Sequence, residues 1–166
     1  MHNALPRSRS SLTPDPGFDA LLASARLLQA AANAPETSGP LRGKNLGLLC
    51  ESEEDSAAML FRSAAAGLGA SVSHIRAQTS GPGTTAGAGL LKTARLLGRL
   101  YDGIECQGLT PTLVRQLGRD AGVPVFDGVA GASHPTAQLV QRLGGVDSLA
   151  KKRQLIVQAV LLCALK

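Results

Sequence analysis

Aromatic residues are nearly absent from this chain: one Tyr, three Phe and no Trp among 166 residues. The core must therefore be filled by Ala, Leu and Val, as aliphatic helices packed on a sheet. The same scarcity argues against single-stranded nucleic acid, which is bound by stacking on aromatic side chains. No run of bases exceeds Lys151-Lys152-Arg153, so the sequence speaks against a nucleic-acid partner generally. Long apolar runs are missing too. Leu155 to Leu165 contains Gln158 and is too short to span a bilayer, so no membrane partner is expected. The N-terminus lacks the apolar core of a signal peptide. The three cysteines, Cys50, Cys106 and Cys163, are odd in number, far apart and set in apolar runs. That pattern offers neither a disulfide framework nor metal-ligand spacing. It suits small buried thiols in a reducing cytoplasm, with no metal and no cofactor.

What is present is a basic, aliphatic chain. Seventeen Lys and Arg against 12 Asp and Glu leave a formal charge of +5, which suits an anionic partner such as a small anionic metabolite. The length fits one domain with a full-sized core. Residues 1–16, rich in Ser, Pro and Arg, are expected to form a disordered arm. Residues 17–166 are expected to form the folded domain.

Apolar spacing predicts a helix from Phe18 to Asn33, then a turn-rich linker from Pro35 to Gly43. Leu46 to Cys50 reads as a buried strand, Asp55 to Leu68 as an Ala-rich helix, and Ser71 to Ile75 as a strand. Thr79 to Gly89 reads as a flexible loop. There follow a helix (Leu90 to Leu100), a strand (Gly103 to Cys106), a helix (Pro111 to Ala121) and a strand (Val123 to Phe126). Helices from His134 to Leu143 and over 148–165 close the chain. Strands alternating with long helices indicate an α/β fold: a doubly wound, parallel sheet of about four strands with helices on both faces. Ligands bind such sheets beyond the carboxyl ends of the strands. Those ends fall at Cys50-Glu51, near His74, at Cys106-Gln107 and at Phe126-Asp127. His74 and His2 show no partner pattern.

Four strings carry a family resemblance: Arg99-Leu100-Tyr101-Asp102, Glu105-Cys106-Gln107-Gly108, Val123-Pro124-Val125-Phe126-Asp127 and His134-Pro135-Thr136-Ala137. In spacing and order they resemble the "R-x-YD", "E-x-R-G", "VPV-N" and "HPTQ" strings of the carbamoyl-phosphate-binding (N-terminal) domain of ornithine and aspartate carbamoyltransferases. The resemblance implies that Gln107 stands where the family has a phosphate-binding Arg, and Ala137 where it has Gln. His134 is then the one retained candidate for catalysis, as the family's polariser of the carbamoyl carbonyl. Ser56, Gln107, His134 and Thr136 are the implied ligand-binding positions.

The family's "S-T-R-T-R" motif at a helix N-terminus aligns with Glu54, Asp55, Ser56, Ala57 and Ala58. Both arginines are gone, and Glu53, Glu54 and Asp55 stand near the helix start. A helix N-terminus with arginines suits a phosphate. Each hydrogen bond to a charged group is worth roughly 1.5–3 kcal/mol. Losing the arginines that answer to Ser56, Ala58 and Gln107 should cost several kcal/mol, or about three or more decades in affinity. The acids then either oppose a phosphate and replace it as the anion at the terminus, or serve only as favourable first-turn residues.

After Leu143 nothing resembles the family's second domain. Residues 152–165 resemble its C-terminal helix, with Arg153, Ala159, Val160 and Leu161 matching and Gln158 in place of Lys. The resemblance thus implies a first domain with the second domain missing and the C-terminal helix retained. It implies a degenerate, non-catalytic module for binding, assembly or regulation. The alternative is a residual carbamoyl-phosphate-binding subunit that needs a partner chain for the amino-acid domain. It also implies a cytoplasmic homotrimer in amino-acid metabolism, with room for a mixed oligomer with an intact carbamoyltransferase.

Overall fold

Side chains alternate across the central strands and sort the molecule into layers. In a computed structural model, which describes residues 17–32, 39–76 and 88–166, strand β1 (Asn45–Cys50) sends Leu46, Leu48 and Cys50 to one face and Leu49 to the other. Strands β2 (Ser71–Arg76), β3 (Gly103–Cys106) and β4 (Val125–Asp127) join it in the order β2-β1-β3-β4, all parallel. In register, Leu48 lies beside His74 and Glu105, and Phe126 beside Glu105. The expected four-stranded, doubly wound α/β fold is what the chain adopts, as one domain.

Helices α3 (Ala88–Leu100) and α4 (Pro111–Ala121) cover the Leu49 face through Ala94, Leu97, Val114 and Leu117. Helix α2 (Ser56–Gly67) covers the other face together with the C-terminal helix α6 (Leu149–Leu165). Helix α1 (Phe18–Ala31) and the short α5 (Val140–Leu143) pack outside α6 through Leu21, Leu22, Ala25 and Leu143. α6 is therefore enclosed on two sides. Its buried residues run Leu155 to Ala159 without a break, with no polar stripe, as expected of an interior helix. The buried Gln158 within it is satisfied by donating to the Ala64 carbonyl at 3.1 Å.

Local chemistry marks the ends. Thr110 Oγ1 accepts the Leu113 N–H at the start of α4, Pro111 fills the first turn, and Gly122 ends the helix at φ +71°. Ser148 caps α6 by accepting from Lys151 N–H at 3.2 Å. Asp102 explains the "YD" turn: its carboxylate accepts Asn45 N–H at 2.8 Å and Lys44 Nζ at 3.3 Å, tying the α3–β3 corner to the start of β1. The Asn45 N–H above all holds its carboxyl below the usual range.

Several boundaries differ from the expected ones. The predicted helix from His134 to Leu143 is a 3₁₀ turn (Pro135–Leu139) followed by α5. Three-residue periodicity stacks Thr136 over Leu139, and both are buried there. Strand β4 begins at Val125 rather than Val123, because Pro124 has no N–H to donate, although its carbonyl accepts from Ile104. Cys50 and Cys106 are buried as expected, but Cys163 is exposed on α6. Residues 1–16, the first part of the 35–43 linker and most of the 79–89 loop lie outside the described residues. No helix among the described residues is long and apolar enough to cross a membrane.

Candidate functional site

The carboxyl edge of the sheet carries two polar groups. The first is centred on Glu105, which is fully buried on the α2/α6 side of β3. Its Oε2 accepts Val129 N–H at 3.3 Å, and its Oε1 accepts Ala130 N–H at 3.5 Å and Gln107 Nε2 at 3.4 Å. Burial raises its pKa to about 8 against the pull of these donors, and nearby Asp127 adds to the rise. Burial thus favours the protonated form of Glu105.

Arg153, on the first turns of α6, grips the same loop from the other side. Its Nη2 donates to the carbonyls of Val129 at 2.7 Å and Gly131 at 3.0 Å, and its Nη1 to Thr136 Oγ1 at 3.3 Å. Val129 thus gives its N–H to the acid and its carbonyl to the base. Burial lowers the Arg153 pKa, and Glu105 when ionised works against this; a guanidinium stays charged throughout.

The chain of bonds continues to His134. Thr136 Oγ1 accepts from Arg153 and lies 2.8 Å from His134 Nδ1, and the Thr136 N–H donates to that same nitrogen at 3.3 Å. Nδ1 is therefore an acceptor, which places the proton of the neutral imidazole on Nε2. Gln107, Thr136, His134 and Arg153 are linked through residues 128–136. Sequence reasoning named the first three. It treated Arg153 and Glu105 as scaffold matches, although an acid inside a strand flanked by apolar residues was a signal of burial.

The second group lies where β1 meets α2. Ser56 begins the helix, and Asp55 precedes it in extended conformation with no side-chain cap bond. The acids are thus not first-turn residues, contrary to one of the two expectations. Ser52 Oγ accepts the Glu54 N–H at 3.2 Å, a local turn that competes with helix and delays its start. Ala58 is buried in the core and Ala57 packs against it, so neither faces a ligand. Glu53 carries the polar contacts. Its carboxylate pairs with Arg62 of α2 and, at 2.9 Å, with Nδ1 of His74, whose Nε2 lies 3.0 Å from the Cys50 carbonyl oxygen. No spacing in the sequence links Glu53 to His74, because the contact joins a loop to a neighbouring strand. The Gln107 backbone N–H donates to the Leu49 carbonyl at 2.8 Å, so both groups sit on the same sheet edge. None of the hydrogen bonds around Glu105 and Arg153 reaches Ser56, Glu54 or Asp55. Among the described residues, no group of three or more His, Cys, Asp or Glu could hold a metal ion.

No family model matches this chain. It is 38% identical over 123 residues to an ornithine carbamoyltransferase of Haemophilus influenzae (strain PittGG), covering 74% of this chain and 36% of that protein. It is 36% identical over 131 residues to that of Actinobacillus pleuropneumoniae serotype 5b (strain L20), covering 79% and 39%. The chain belongs to the ornithine/aspartate carbamoyltransferase family. It spans well under half the length of the curated relatives it matches. Solved structures share the fold: ornithine carbamoyltransferase from Pyrococcus furiosus (TM-score 0.60, 24% identity, 76% of this chain and 40% of that one) and the catalytic subunit of M. jannaschii aspartate transcarbamoylase (TM-score 0.62, 22% identity, 80% and 44%). Against the carbamoyltransferase strings, the scaffold residues Asp102 and Glu105 keep structural partners, while Gln107 turns to Glu105.

Proposed function

We propose that this carbamoyltransferase homologue is non-catalytic and serves as a binding or assembly module. The observation that carries the reading is the turn before α2. Where the family resemblance implies a phosphate held by two arginines, this chain places Glu53, Glu54 and Asp55, and Glu53 is already paired with Arg62 and His74. An incoming phosphate would meet carboxylates in place of guanidinium donors. The third implied arginine is Gln107, whose amide is spent on Glu105. With the leaving phosphate unstabilised, the electrostatic part of a transfer reaction is gone. In addition, residues 144–148 join α5 directly to the cap of α6, at the position where the resemblance puts the second domain. A nucleophile carried on that domain would have no fixed place beside a carbamoyl group. The same resemblance supports assembly as a homotrimer, and mixed oligomers with an intact carbamoyltransferase.

One observation favours a second reading. Arg153, Thr136 and His134 are joined by hydrogen bonds at the sheet edge, where the family resemblance puts the residue that polarises the carbamoyl carbonyl. On this reading the chain is a carbamoyl-phosphate-binding subunit completed by a partner chain. Calorimetric titration with carbamoyl phosphate, with inorganic phosphate as control, separates the two. The non-catalytic reading expects no heat at millimolar ligand. Micromolar binding of carbamoyl phosphate overturns it in favour of the second. Sedimentation at high micromolar protein tests the trimer, which a clean monomer would exclude.

A further inference from the structure

Helix α3 presents cations to water and holds no acid. Lys92, Arg95 and Arg99 are all exposed, at helical spacings that place them on one face. Beside them lie Leu96 and Leu100, one turn apart and each 54% exposed. The opposite face of α3 is spent on the sheet through Ala94 and Leu97. Gly98, on the Arg95 side of the helix, abuts Ala121 of α4, so the two leucines occupy the flank turned away from α4. α4 extends the charge with Arg115 and Arg119 against one acid, Asp120. None of these charged groups joins an ion pair among the described residues. Like charges three and four residues apart on a helix repel, so the chain by itself gains nothing from this face.

The complementary surface stands elsewhere on the same chain. Glu51, Glu54 and Asp55 are exposed on the turn between β1 and α2. None of the three joins an ion pair among the described residues, and the Asp55 side chain makes no cap bond. Met59, four residues after Asp55 and therefore above it on α2, is 55% exposed. The turn leads into α2, which covers the sheet face opposite to that of α3. The chain thus carries two unneutralised patches of opposite sign in different places, each with an exposed apolar flank.

We propose that the outer face of α3 docks the β1–α2 turn of a second copy of this chain. Lys92, Arg95 and Arg99 face Glu51, Glu54 and Asp55, while Leu96 and Leu100 pack against Met59. The proposal deepens the assembly role proposed above and rests on it, since it names the surfaces that meet. The two patches are unlike, so the contact is heterologous, and every copy has one of each to offer; such contacts close into a ring when the rotation between copies allows. Complementary charge steers the encounter and fixes the orientation, and the leucines and methionine add apolar burial. The charges are exposed, so salt screens them and weakens the contact. The acids of the turn then serve a neighbour's cations.

The test is sedimentation velocity of the full chain across protein and salt concentration, with circular dichroism to verify folding. The wild type is expected to associate at low salt and to lose about tenfold or more in affinity at about 1 M salt, where the Debye length falls to about 3 Å. R95E/R99E and E54K/D55K each set like charges across the contact, and each alone should sediment as a monomer. An equimolar mixture of the two should associate again, because the unaltered acids of the first meet the unaltered cations of the second. Wild-type association that ignores salt and survives both variants overturns the contact and leaves the assembly reading standing. A mixture that stays monomeric while the wild type associates overturns the pairing of these two patches. A wild type that is monomeric at high micromolar protein and low salt overturns contact and assembly together. K92Q/R95Q, which neutralises without reversing charge, carries the test with the salt series if either reversal fails to fold. The calorimetric result is independent: micromolar carbamoyl phosphate binding overturns the non-catalytic reading and leaves the contact standing.

Discussion

The guanidinium of Arg153 donates to the carbonyl oxygen of Val129 at 2.7 Å, fastening the last helix of the chain to the loop that follows β4. The same side chain reaches Gly131 and Thr136, so one residue holds three points of a segment that contains His134. A helix that resembles a family's C-terminal segment thereby becomes part of the sheet-edge site.

Replacing this clamp tests its worth. R153M keeps the aliphatic stem and removes three donors, leaving half-buried carbonyls without a charged partner. The expected loss is roughly 2–4 kcal/mol in urea unfolding. The His134 ring should also lose its fixed tautomer, read from its ring-nitrogen shifts. An unfolding midpoint equal to the wild type's would show that the loop is held by packing alone.

Glu105 makes stability depend on pH in a defined direction. Its pKa stands at about 8 in the folded chain against 4.5 as the ordinary value. The folded state therefore binds more protons than the unfolded state between these values. The stability this contributes is fully present below the lower value and is lost as pH rises through the upper one. The full loss is on the order of 5 kcal/mol. Unfolding measured from pH 5 to 9 should show this decline in the wild type and not in E105Q. Q107R, which sets a cation beside the carboxyl, should draw its pKa down and flatten the slope. A flat wild-type profile would mean that Glu105 is ionised in the fold.

The α3–α4 contact depends on one glycine. A Cβ at Gly98 would stand 1.8 Å from the Ala121 carbonyl oxygen, a backbone atom that cannot rotate away. G98A should therefore destabilise the chain by about 1–3 kcal/mol, despite the roughly 1 kcal/mol that alanine adds to a helix interior. A thermal midpoint at or above the wild type's would show that the two helices separate freely.

Much of this architecture was legible in the residues. Short apolar segments between turns and helical spacing located all four strands and the long helices, and the strand ends marked the edge on which Gln107 and Glu53 lie. The 3₁₀ turn at Pro135–Leu139 was not legible, because Pro-Thr-Ala-Gln-Leu suits either helix type. What decides it is the burial of Thr136 beside Arg153, a residue seventeen positions away.

The composition and order of residues by themselves determined the α/β class and the aliphatic core, which follow from local periodicity and side-chain chemistry acting within a few residues. The family resemblance added that Ser56, Ala58 and Gln107 stand where arginines are expected. Only the tertiary structure decided what replaced the lost groups. Glu53 finds His74, and Val129 stands between an acid and a base. Parallel strands joined by crossovers bring residues twenty or more positions apart within hydrogen-bond distance. The low dielectric between them then sets which groups keep their protons.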